Sequence, residues 1–181
     1  MPAVLRLSTL LSTLCMLAAC AVAHPPNEIL SPEMAMMYGY VEADTPIDAV
    51  DFYEFGVVYI PPFRQPPRVL VYKNGYFMAE NLKPGKYYIA AFHSGDMTFK
   101  LVDSAQSSYQ NVINIHPGSL NYIGSHRLVV RGRDIMQDRI DFEVVRTRRP
   151  DERTLLNYFY ELTDGTAWQK KIARRMKELR Q

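Results

Sequence analysis

Tyr72-Lys73-Asn74-Gly75-Tyr76-Phe77 sets Asn-Gly, the pair that most readily takes two positive-φ positions, between aromatic residues, and so predicts a tight β-hairpin. Leu82-Lys83-Pro84-Gly85-Lys86-Tyr87 follows at once with a Pro-Gly turn. The next run holds Tyr88, Ile89 and Phe92 and is largely apolar on both faces, as expected of a strand in mid-core. Outward from there, β-branched and aromatic residues recur in short runs divided by turn residues, the pattern of an antiparallel all-β domain. The expected strands are Met36 to Glu42, Phe52 to Ile60, Arg68 to Lys73, Tyr76 to Glu80, Lys86 to His93, Thr98 to Asp103, Asn111 to His116, Tyr122 to Val130 and Arg139 to Arg146. His116-Pro117-Gly118-Ser119 supplies a further turn.

Asn74-Gly75-Tyr76-Phe77 and Asn81-Leu82-Lys83-Pro84-Gly85-Lys86-Tyr87-Tyr88-Ile89 together resemble the motif of carboxypeptidase-regulatory-like, or prealbumin-like, domains. In that motif a hairpin Gly-x-Phe is followed by an apolar residue, a Pro-Gly turn and an aromatic strand. Gly39-Tyr40-Val41 is compatible with the opening strand of the family. The resemblance implies a mainly β fold, an antiparallel β-sandwich. Being made of turn chemistry and core residues, it speaks of topology and not of activity.

After Arg149-Pro150 the period changes. Asp151 and Glu152 suit a helix first turn, where negative charge meets the N-terminal dipole, and Leu155, Leu156, Phe159 and Leu162 make an apolar stripe. Thr163-Asp164-Gly165 breaks it, and a second helix is expected from Thr166 to Leu179 with Trp168, Ile172, Met176 and Leu179 on one face. Trp168 is expected to dock on the sandwich or on the first helix. This tail resembles the end of other small bacterial lipoproteins of unassigned function.

The N-terminus reads as an address. One basic residue, Arg6, precedes an apolar stretch from Leu7 to Ala19 diluted by Ser8, Thr9, Ser12 and Thr13, which is signal-peptide anatomy. The stretch is short for a membrane span, which needs about 20 mostly apolar residues. Leu17-Ala18-Ala19-Cys20 resembles the bacterial lipobox, in which small residues precede a Cys that receives a diacylglycerol before cleavage. The resemblance implies lipidation of Cys20, with Ala21 after it in place of a retaining Asp, and hence the periplasmic face of the outer membrane. Acyl chains contribute about 0.8 kcal/mol per buried methylene, so two or more anchor firmly. Ala21-Val22-Ala23 offers a competing A-x-A site, and cleavage there would release a soluble chain beginning at His24. The expected organisation is a signal over 1–19, an extended Pro-punctuated tether over 20–34, the β-sandwich over 35–148 and the helices over 149–181.

Cys15 leaves with the signal and Cys20 is acylated on this reading, so the body lacks thiols; a disulfide framework, a Cys-ligated zinc and a Cys nucleophile are excluded. A formal net charge of +2 gives no support to nucleic-acid binding. Basic residues do crowd the C-terminus at Lys170, Lys171, Arg174, Arg175, Lys177 and Arg180, a face that suits anionic phosphate. No G-x-S-x-G occurs, and Ser119 sits in a turn three residues after His116. His24, His93, His116 and His126 are scattered without metal-ligand spacing. Asp44, Asp48, Asp51 and Glu54 lack a calcium-loop pattern and read as a solvated loop, while Met36 and Met37 read as core. No metal, cofactor or catalytic residue is expected.

Tyr76, Tyr87, Tyr88 and Tyr122 are the candidate ligand-binding residues, because rings in a row on strands can form a platform for sugars or peptides. The plainer reading is that tyrosine is a good strand residue. The function expected is a non-catalytic, lipid-anchored envelope protein that binds or scaffolds a periplasmic protein or envelope polymer. A glycan-binding accessory module and an envelope enzyme are the alternatives.

Overall fold

The computed structural model describes residues 28–55, 68–72, 74–101, 112–134 and 139–181. Cys20, the signal, the tether up to residue 27, and the expected strand residues 56–60, 73, 102–103 and 111 lie outside the described residues.

The strands are β1 (Ala35–Ala43), β2 (Ala49–Glu54), β3 (Arg68–Leu70), β4 (Tyr76–Leu82), β5 (Gly85–Ser94), β6 (Met97–Lys100), β7 (Ile113–Ile115), β8 (Leu120–Asp134) and β9 (Arg139–Thr147), followed by helices α1 (Glu152–Leu162) and α2 (Ala167–Glu178). Among the described residues the strands form two sheets. One runs β4-β1-β8-β9, and the other β3-β2-β5-β6, with β7 beside β6 along the same edge of β5. The fold is therefore the expected β-sandwich with a C-terminal helical hairpin. One pairing departs from an antiparallel pattern: β1 and β8 are parallel, with Met36 opposite Leu120 and Ala43 opposite Leu128.

β1 explains the layering. Its side chains alternate between two apolar surroundings, as strand geometry requires. Ala35, Met37 and Val41 join the core between the sheets, with Val50, Phe52, Phe77, Phe92, Phe99, Ile115 and Leu128. Met36, Tyr38 and Tyr40 face the other way, into a second core completed by Leu155, Leu156, Phe159, Trp168 and Ile172 from the helices. The result is three layers: the β5 sheet outermost, the β1 sheet in the middle, and the helical hairpin on its far side. Phe99 meets Phe142 edge-on at 5.3 Å where the sheets approach at one side. The Val71–Phe77 bridge links them at the other.

The expected tether is docked in its last part. Leu30 N donates to Asn81 Oδ1 at 3.0 Å, and Asn81 Nδ2 donates to Glu28 O at 3.1 Å. Ile29 packs against the helical core, and Met34 N donates to Ser31 O at 3.0 Å in a turn. Residues 28–34 thus belong to the folded body, because Asn81 offers both an acceptor and a donor to a backbone that would otherwise be hydrated.

Candidate functional site

The four candidate tyrosines do not form a row. Tyr87 is 5% exposed, lies in the core between the sheets and donates its hydroxyl to Lys83 O at 3.0 Å. It is a core residue because adjacent strand residues point to opposite faces, so only one of Tyr87 and Tyr88 can face outward. Tyr76 faces the helices, with its ring 4.8 Å from Tyr158 and 5.6 Å from Tyr40. Tyr122 stacks on Tyr38 at 5.7 Å, and its hydroxyl lies 3.2 Å from Ser125 Oγ. These two belong to the second core, where ring area packs the helical hairpin and hydroxyls reach the rim.

Tyr88 alone of the four lies on the outer face of the outer sheet. It stands opposite Tyr53 of β2, and the rings stack at 5.6 Å with an interplanar angle of 16°. Asp51, two residues before Tyr53, shares that face. Its Oδ2 lies 2.8 Å from His93 Nε2, and His93 Nδ1 lies 3.2 Å from Thr98 Oγ1. Register builds this group: His93 stands opposite Thr98 on β6 and opposite Ala49 on β2, which brings Asp51 to it diagonally. The His93 and Asp51 side chains are only 12% and 17% exposed. Both ring nitrogens of His93 thus have a hydrogen-bond partner, and the orientation of the ring is set.

The arrangement offers, on one sheet face, a stacked aromatic pair beside a carboxylate, an imidazole and a hydroxyl. Rings of this kind take the apolar face of a sugar or side chain, while the polar group fixes orientation. Carboxylate, imidazole and hydroxyl in this order also match the roles of nucleophilic activation. His93 was visible in the sequence only as a single His at a strand end, and Asp51 only as one of four acids read as a solvated loop, whereas it lies on β2 with its side chain mostly buried. Thr98 carried no signal, since the meeting of the three depends on pairing among three strands.

Other polar groups among the described residues hold elements together. Glu152 Oε1 accepts from Tyr38 Oη at 2.8 Å and from Arg175 Nε at 2.9 Å, joining β1, α1 and α2 at the buried seam. Glu42 accepts from Tyr40 Oη and Arg127 Nε. His126 Nε2 lies 3.0 Å from Ile123 O, and burial pulls its pKa below the usual imidazole value, opposed by that carbonyl and aided by Arg146. Asp48 accepts from Gly95 N at 2.8 Å. Met36 and Met37 are fully buried, one in each core. Among the described residues, no group of three or more His, Cys, Asp or Glu is placed to hold a metal ion. No described helix is long and apolar enough to cross a membrane.

No protein-family model and no curated protein sequence matches the chain. Among solved structures it is similar to a DUF3823 family protein from Parabacteroides merdae ATCC 43184, with 14% identity, a TM-score of 0.29 and 64% of this chain covered. The match spans 60% of that protein, less than two thirds of its length. The β-rich fold rests on the strands and registers above and not on this likeness.

Proposed function

We propose that the protein is a lipid-anchored envelope protein that binds a periplasmic partner without turning it over, and that the outer face of the outer sheet carries the contact. The observation behind this reading is the juxtaposition, on the face opposite the helical layer, of the Tyr53–Tyr88 stack with Asp51, His93 and Thr98. Cys20, in its lipobox-like setting, supplies the anchor, and outer-membrane attachment follows from it. The partner is a protein or an envelope polymer.

A photo-crosslinking residue at position 88 in living cells tests the reading. A defined adduct that disappears in a His93→Ala background supports it; the same pattern of products with or without His93 counts against it. The ring pair favours a glycan as the second reading. Co-sedimentation with peptidoglycan that is lost in both Tyr53→Ala and Tyr88→Ala would select it. Turnover of an envelope substrate that vanishes in Thr98→Val would establish the enzyme reading instead, with Thr98 as nucleophile and His93 as base.

A further inference from the structure

α2 divides its basic residues between two tasks. Lys171 is drawn inward, donating to Gly118 O at 2.9 Å with its Nζ 5.1 Å from the Trp168 ring centroid. Arg175 is committed to Glu152 and Glu178. Lys170, Arg174 and Lys177 recur at i, i+4 and i+7, on the side away from buried Trp168 and Ile172, and Arg180 follows just past the helix. All four are exposed. Among the described residues no carboxylate is in ion-pair contact with any of them.

The chain enters the body beside this same helix. Ala167 N, the first backbone donor of α2, points to Glu28 Oε2 at 3.3 Å. Residues 20–27 are all that separate Glu28 from the preceding residue 19, and such a length spans at most roughly 28 Å even when fully extended. α2 has 12 residues and is about 18 Å long. Chain entry and the exposed stripe therefore share one helix, and a tether of this reach lets a lipid on Cys20 and the stripe meet the same bilayer.

We infer that Lys170, Arg174, Lys177 and Arg180 dock on the anionic phospholipid headgroups of the bilayer to which the chain is tethered. The inference rests on lipid anchorage at Cys20. Each basic side chain near an anionic surface favours association by about fivefold, and the attraction fades within a Debye length of about 8 Å at physiological salt. Four such residues are weak for a free protein. For one already held at the surface the encounter is intramolecular, and the same charges are enough to set orientation. The helical layer then lies against the bilayer and the Tyr53–Tyr88 face looks away from it.

The test uses lipidated protein extracted from membranes and reconstituted into vesicles of phosphatidylcholine alone or mixed with phosphatidylglycerol. Amine labelling is read residue by residue by mass spectrometry, and intact mass reports the lipid on Cys20. Labelling of Lys170 and Lys177 is expected to fall at least about threefold on the anionic vesicles and to recover in high salt, while Lys86 and Lys100 on the outer sheet stay unchanged. Combined Arg174→Glu and Arg180→Glu changes, at exposed positions that leave both lysines in place, are expected to abolish the difference between vesicles in the labelling of Lys170 and Lys177. Lipidated Cys20 with equal labelling on both vesicles overturns the docking and leaves the anchor standing. Protection on neutral vesicles as well points to a second copy of the chain and also overturns it. If Cys20 carries no lipid, the anchor reading fails and the docking that rests on it falls with it.

Discussion

Asn81 is the residue on which the entering chain hangs. It adopts φ +54, a conformation that asparagine tolerates better than most side chains, and its amide grips Leu30 N and Glu28 O. Asn81→Gly keeps the backbone at ease and removes the grip, whereas Asn81→Ala adds strain. Thermal unfolding should show the Ala variant less stable than the Gly variant by about 1 kcal/mol, and both should speed hydrogen exchange at Leu30. Gly75, at φ +83, answers to a harder constraint: a Cβ there would meet Val41 O at 2.4 Å. Gly75→Ala should cost roughly 2–4 kcal/mol in a denaturant titration. The phenols set the alkaline limit. Burial, followed by the Glu42 hydrogen bond, pushes Tyr40 up to about 12; burial and then Tyr158 push Tyr72 up to about 12; burial and then Glu152 raise Tyr38 further. Because these folded pKa values exceed the unfolded value near 10, the native state binds more protons, and stability should fall as pH rises from about 10 through 12. Phenolate absorbance and unfolding followed together check this. His126 acts at the other end, where a folded pKa below that of the unfolded chain means stability is lost as pH falls below about 6.5. His126→Gln should flatten that part of the acid limb.

The two helices are begun differently. Asp151 Oδ1 accepts from Thr154 N at 2.9 Å and from Thr154 Oγ1 at 2.6 Å, a complete cap that also holds its carboxyl below the usual range. Asp151→Ala should cost about 1 kcal/mol. Thr166 makes no such bond at the start of α2, its hydroxyl being donated to Thr163 O, and Glu28 supplies the acceptor from far along the chain. Trp168 is fully buried and is expected to cost about 3–5 kcal/mol on Trp168→Ala, with the helical layer loosened before the sandwich in hydrogen exchange. Elements marked by local chemistry were legible: Asn74-Gly75, Pro84-Gly85 and the Leu155-Leu156-Phe159 stripe lie where turn residues and period put them. The parallel β1–β8 pairing was not, since it joins residues more than 80 positions apart and no turn announces it. The sheet side of the second core was hidden for another reason. Tyr38, Tyr72 and Tyr76 carry a hydroxyl that reads as surface, yet most of each ring is apolar area waiting for a cover. The polar group on the outer sheet needed register across β2, β5 and β6, which a linear pattern does not contain.

At the scale of the molecule, the middle sheet is covered on both faces, by the outer sheet and by the helices, and this allocates the surfaces. The helical side carries cations and the point of chain entry; the outer sheet carries the ring pair and the Asp51–His93 pair. The β8–β9 hairpin continues past β1, leaving Val130, Val144 and Val145 partly exposed beside the Arg131–Glu143 ion pair. β9 ends its sheet, and the charges along it disfavour pairing with a stranger's edge. Arg131→Val with Glu143→Val should therefore raise association with concentration in light scattering while leaving Tm nearly unchanged.

The clamp at Asn81 also has a mechanical meaning. Any pull on the N-terminus meets Asn81 and the Glu28 contact with α2 first, and only then β1. β1 sits between β4 and β8, bonded along both edges, so a load along its axis must shear two ladders at once instead of unzipping one. In a single-molecule extension experiment the first release should be short, corresponding to residues 28–34, and the second should be the rupture of the whole fold.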